Sequence, residues 1–288
     1  MEQIYTANDR VSRKQRSEIS YERALNRFRT LHGVARVSWA TWIIVIGTIL
    51  FWCFTAYQVA LASGAQTFPD VLGNIWNNAV NIQNNDALTN VLVTYGAKEN
   101  DLIIQGQYWR FITPVFLHAN LLHVGLNMLN LLVLGVVLER LMGHLRFILV
   151  YFVTGMVSII ASFYFMPSEV SVGASGAIFG LVGAYSVFVL MHRRAFRHEG
   201  IPALLWLVFI IGLNLGIGLI IPNVDNFAHL GGLLSGCLLG WWFMPLYRLS
   251  ANQAIIDVHS LTRRWPLALL TIVGTLILAS VAIYVMGG

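Results

Sequence analysis

Long apolar runs separated by short polar breaks dominate this chain. Seven of them, near 38–63, 116–138, 147–166, 172–191, 201–221, 227–247 and 265–286, hold no Asp, Glu, Lys or Arg. Each approaches or exceeds the roughly 20 residues that a helix needs to cross a hydrocarbon core. Water is absent there, so only structures that pair every backbone N–H and C=O can cross, and runs of this length predict helices. The pattern predicts an all-α polytopic membrane protein. Pro167, Pro202, Pro222 and Pro266 fall at run boundaries, where a helix is expected to stop or start. Most breaks are short, which makes consecutive helices antiparallel neighbours. The exception is 63–113, a long outer loop. It mixes Asn74, Asn77, Asn78, Asn81, Asn84 and Asn85 with Val71, Leu72, Ile75, Trp76, Val80 and Ile82. That mixture predicts interfacial pieces rather than a free tail. Ahead of the first run, Tyr21, Ala24, Leu25, Phe28, Leu31 and Ala35 share one helical face, with Arg23, Arg27, Arg29 and Arg36 mostly elsewhere. This reads as a short basic helix on a lipid surface.

Composition sharpens the class. Hydrophobic residues make up 57% of the chain and charged ones 11%, against about 25% charged in soluble domains. The net charge of +5 is not a nucleic-acid signal, because the basic residues are sorted by side. Eight lie in the first 37 residues. Eight more lie in alternate breaks: Arg140, Arg146, Arg193, Arg194, Arg197, Arg248, Arg263 and Arg264. The remaining breaks hold Lys98 and Arg110. Positive residues stay on the cytoplasmic side. The N-terminus is therefore expected inside, the C-terminus outside, and runs 2, 4 and 6 pass from outside to inside. The expected setting is a bacterial plasma membrane. Cys53 and Cys237 lie within runs and imply packing, not a disulfide framework. The first run begins after about 37 polar residues and is too long for the core of a cleavable signal.

The chemistry gathers at one depth. His118, His123 and Asn127 lie at the start of run 2, Ser175 at the start of run 4 and His229 at the start of run 6. All three runs pass outside to inside, so these residues share the outer half of the bilayer. Polar and ionisable groups there are costly and mark functional positions. His123 and Asn127 are four apart and share a helix face. A serine nucleophile needs a base in hydrogen-bond reach and donors for the oxyanion. Ser175 and His229 can supply the first pair; His123, Asn127 and a backbone N–H near Ser175 can supply the donors. No run contains a carboxylate. Asp225 lies at a loop-to-helix junction, where aspartate serves as an N-cap, so a dyad is the economical reading. Gly176, Gly180 and Ala184, and Gly232, Gly236 and Gly240, form small-residue rows that let helices approach closely. Packing and catalysis are compatible here. Metal binding is not expected: His118 and His123 lack a carboxylate partner and the H-E-x-x-H pattern. No cofactor motif is present.

These residues also carry a resemblance. Trp109-Arg110, His118-x4-His123-x3-Asn127, Glu139-Arg140, Gly173-x-Ser175-Gly176 and Ala228-His229-x-Gly231-Gly232 together resemble the rhomboid family of intramembrane serine proteases. The likeness covers roughly residues 90–245. It implies a six-helix core at 38–247, with a seventh helix added in 248–288 and a basic segment at 1–37 outside it. It further implies Ser175 as nucleophile, His229 as base, His123 and Asn127 as oxyanion donors, and His118 as support. Phe179 would pack on the His229 ring, where many relatives carry Tyr. Gly173 and Gly176 belong to the serine motif, and Gly232 would let helix 6 touch helix 4.

The reading is thus a serine endopeptidase that cleaves transmembrane segments of other membrane proteins, with the lipid bilayer as its solvent. Two alternatives differ in class. One is an inactive rhomboid-like protein that binds membrane clients; relatives of that kind usually lack the serine or histidine, and both stand here. The other is a seven-helix transporter or receptor, which calls for polar pathway residues deeper in the runs. The oligomeric state is not encoded in these patterns.

Overall fold

The computed structural model describes residues 37–80, 86–192, 205, 224–249 and 255–287. Nine helices cover most of the described residues: α1 Trp39–Ala62, α2 Phe68–Val80, α3 Asp86–Thr94, α4 Asn100–Ile104, α5 Leu121–Met142, α6 His144–Phe165, α7 Ser175–Met191, α8 Asn226–Phe243 and α9 Leu261–Gly287. Two 3-10 turns, Tyr108–Phe111 and Thr113–Phe116, lead into α5. Most of the fifth apolar run, and the basic N-terminal segment, lie outside the described residues. Among the described residues, four helices (α1, α5, α6 and α9) are long and apolar enough to cross a membrane. The chain is an all-α integral membrane protein.

Several boundaries differ from the sequence pattern, for physical reasons. The second run was bounded at 116–138, yet α5 starts at Leu121 and continues to Met142, past Glu139 and Arg140. His118 consequently precedes the helix. Glu139 is tolerated because its carboxylate is saturated: it accepts from Ala40 N at 2.9 Å, and from Thr41 N at 2.8 Å and Thr41 Oγ1 at 2.6 Å, and it meets His144 Nδ1. A fully bonded buried charge is permissible where a bare one is not. The same lock pins the start of α1 to the end of α5. Helix α6 likewise begins earlier than 147 and includes Arg146, whose guanidinium donates to Asp257 Oδ2 at 2.7 Å and to the His259 carbonyl at 2.9 Å. Helix α9 takes in Arg263 and Arg264 ahead of its apolar stretch. The fourth run loses its first turn, since α7 starts at Ser175. Helix α8, at 18 residues, ends at Phe243. Beyond it, Tyr247–Leu249 (β1) pairs antiparallel with Ile255–Asp257 (β2), a small ribbon no apolar pattern predicts.

Glycine rows fix the centre of the bundle. Helices α7 and α8 lie backbone to backbone. A Cβ on Gly232 would collide with the Gly176 carbonyl, and one on Gly236 with the Gly180 carbonyl. One on Gly240 would lie 2.7 Å from Ala184 Cα. Helix α6 closes the third side, with Ser158 facing Gly176 and Thr154 facing Gly180. In lipid, apolar contact between helices has no water to escape, so close approach and dispersion hold them. Around this centre Leu131, Leu138, Phe147, Tyr151, Leu181 and Phe243 are fully buried. The long loop folds into α2, α3 and α4, in keeping with its mixed pattern. Arg110 ties it together by donating to the carbonyls of Val93 at 2.7 Å and Ala97 at 2.8 Å and to Gln107 Oε1 at 2.8 Å.

Candidate functional site

Ser175 is the first residue of α7, and three elements converge on it. Gly173, two residues earlier, has φ +123°, a conformation that excludes most side chains. Space forbids one as well: a Cβ there would lie 2.7 Å from His123 Nε2 and 3.8 Å from Asn127 Nδ2. Gly173 N donates to the Pro114 carbonyl at 2.9 Å. Ala174 N donates to His118 Nε2 at 3.4 Å.

The start of α5 supplies the opposing wall. Asn120 caps this helix, its Oδ1 accepting from His123 N at 2.8 Å. The cap fixes the first turn and thereby aims His123 and, one turn on, Asn127 at the Gly173 backbone. The His118 and His123 rings meet edge to face, centroids 4.9 Å apart. His118 is only 1% exposed and Asn127 7%.

Helix α8 brings the third wall. Asp225 Oδ1 accepts from Ala228 N at 2.8 Å, an N-cap bond. His229 follows in the first turn, and its Nε2 lies 2.8 Å from Ser175 Oγ. The Phe179 ring stacks on the imidazole, centroids 4.5 Å apart and planes 20° apart. With Nε2 accepting from the serine hydroxyl, the neutral ring carries its proton on Nδ1. That Nδ1 is buried and meets no hydrogen-bond partner among the described residues. Asp225 spends Oδ1 on the cap, and its Oδ2, like His229 Nδ1, meets no hydrogen-bond partner among the described residues, so no bond joins the two.

The structure therefore brings together Ser175, His229, Phe179, Gly173, His123, Asn127 and His118, while Gly176 and Gly232 form the contact that holds α7 against α8. Most of the fifth apolar run, and residues 222 and 223 ahead of α8, lie outside the described residues. Sequence reasoning passed over Ser158 and Thr154, which fill the space beside the α7 glycines, and Lys98. Lys98 left one signal: it is one of only two basic residues outside the two positive groups of eight.

Comparison with known proteins covers the stretch of chain that contains these residues. Residues 105–246 match the family model described as the Rhomboid domain. The chain is 45% identical over 149 residues to rhomboid protease GluP of Bacillus subtilis, a stretch covering 51% of this chain and 28% of that protein. It is 36% identical over 140 residues to a putative rhomboid protease, YdcA, of the same bacterium, covering 48% of this chain and 69% of the relative. RHOMBOID-like protein 4 of Arabidopsis thaliana is 34% identical over 212 residues, covering 71% of this chain and 53% of that protein. The chain belongs to the rhomboid family. It spans about half or less of the length of GluP and of the plant relative. Relatives in both a bacterium and a plant leave the bacterial setting as an expectation only.

Proposed function

We propose that the chain is an intramembrane serine endopeptidase acting on transmembrane segments through a Ser175–His229 dyad. The observation that carries this reading is the 2.8 Å approach of His229 Nε2 to Ser175 Oγ. On this account Ser175 Oγ attacks a peptide carbonyl as its proton passes to His229 Nε2. The carbonyl electrons move onto oxygen, and His123 and Asn127 across Gly173 stabilise the oxyanion. His229 then protonates the departing amine as the C–N bond breaks, leaving an ester on Ser175. A water, deprotonated by the same nitrogen, hydrolyses the ester and restores the serine. Phe179 fixes the ring plane that this proton shuttle needs.

A helical peptide bond has its backbone paired and shielded. Substrates therefore have to unwind locally, and small or helix-breaking residues near the membrane boundary favour cleavage. The positive-residue pattern supports a reading with the Ser175 end of the bundle outside and the N-terminus in the cytoplasm. The rival reading, an inactive client-binding relative, keeps the fold without the reaction. Purified protein incubated with a model transmembrane substrate, beside Ser175→Ala, separates them. Cleavage by the native chain and none by the variant is expected. No cleavage by either, from folded protein, supports the rival, and cleavage by both sinks the mechanism.

A further inference from the structure

Lys98 lies in the loop between α1 and α5, where a lysine ordinarily extends into water. Instead it is fully buried, at 0% exposure. Its Nζ donates to the Met166 carbonyl at 2.5 Å and to the Glu169 carbonyl at 2.8 Å. Its backbone pairs with Ser171 in an isolated antiparallel bridge, Lys98 N to Ser171 O at 3.0 Å and Ser171 N to Lys98 O at 3.2 Å. One residue thus holds the 166–171 segment at three points. That segment feeds directly into Gly173, Ala174 and Ser175. Burial pulls the Lys98 ammonium from 10.5 down to about 8, with Asp225, Glu169 and Glu99 acting in the opposite direction. At neutral pH the group keeps its charge, and its two bonds to carbonyls are charge-assisted.

The placement matters because the site depends on the path of this segment. Gly173 sits in a conformation foreign to other residues, pressed against His123 and Asn127. Gly173 N has a single bond, to the Pro114 carbonyl, and Ala174 N a single bond, to His118. Upstream, Lys98 holds the segment through two Nζ bonds and a backbone bridge. No helix covers residues 166–174, so nothing in regular secondary structure fixes their course.

We propose that Lys98 is a positioning residue for the nucleophile: it straps the 166–171 segment so that Ser175 meets His229 while Gly173 borders His123 and Asn127. The inference rests on the proposed dyad and deepens it. Lys98 touches no reacting atom. Its removal shifts the serine and the oxyanion wall by a fraction of an ångström to about an ångström, and misplacement of that size costs up to about 100-fold in rate.

The test uses the full chain in detergent or liposomes. Lys98→Met keeps the apolar stem and removes the donors; Lys98→Arg restores donors on a longer fork. Cleavage of a model transmembrane substrate and the rate of fluorophosphonate labelling at Ser175 are read together, beside thermal unfolding. Lys98→Met is expected to lower kcat by about 10–100-fold with KM nearly unchanged, to slow labelling in step, and to be partly rescued by Lys98→Arg. Unchanged kcat and labelling in folded Lys98→Met overturn the proposal. So does a rise in KM alone, or a loss explained wholly by unfolding at the assay temperature. If Lys98→Met does not fold, Lys98→Gln takes its place under the same criteria. Failure of the dyad reading itself shows separately, as labelling or cleavage that survives Ser175→Ala.

Discussion

Ser175 and His229 are 54 positions apart in the chain, and each would be an ordinary membrane-helix residue alone. On the proposed reading, their setting is what would make them reactive. His229 is 8% exposed and stacked on Phe179, so its ring has one useful direction, toward the hydroxyl. In the proposed mechanism Asn127 has a different part, as one oxyanion donor among several around the Gly173 backbone. Asn127→Ala is therefore expected to slow cleavage about 100- to 1,000-fold without abolishing it, the usual cost of one oxyanion donor. Steady-state kinetics on a folded preparation checks this, and an unchanged kcat would remove Asn127 from the reaction. These polar positions were legible in the sequence because the bilayer makes them expensive, so a serine, three histidines and an asparagine at one depth stand out. Lys98 was not. A charged residue in a loop carries no penalty that a pattern can register, and its burial arises only when the 166–171 segment folds over it.

At the level of elements, the helices are held by shape more than by hydrophobicity. The contact of Gly232 with the Gly176 carbonyl sits beside Ser175 on α7 and about one turn from His229 on α8. Gly232→Ala must push α7 and α8 apart, costing about 1–3 kcal/mol or more, and it should break the Ser175–His229 bond. Gly274→Ala on α9 is the control, because nothing lies within 4 Å of the added methyl. Thermal unfolding and probe labelling should both fall in the first variant and in neither respect in the second. The small-residue rows that predicted this packing were visible as four-residue repeats. Helix ends were less visible. Apolar runs were drawn to stop before Glu139 and to start after Arg146, whereas these charges are absorbed by Thr41, His144 and Asp257, partners remote in sequence or outside the runs. The β1–β2 ribbon escaped for the same reason. Arg146 and Leu246 N meet the Asp257 carboxylate there, and no periodicity announces such a clasp.

Across the whole molecule, α9 adds no group to the site but is not detached from it. Its Ala279, Ala282 and Ile283 pack with Ile103 and Phe111 of the long loop and with Ile159, Ile160 and Phe163 of α6. Ile103 belongs to α4, five residues beyond Lys98, so the last helix buttresses the loop that straps the nucleophile segment. The central claim, however, concerns the chemistry and is tested most directly by covalent capture. The full chain, reconstituted in liposomes, is treated with a fluorophosphonate and the adduct is mapped by mass spectrometry. The account predicts a single adduct on Ser175, absent in folded His229→Ala. Labelling elsewhere with Ser175 untouched, or undiminished labelling of Ser175 in the His229→Ala protein, would contradict it.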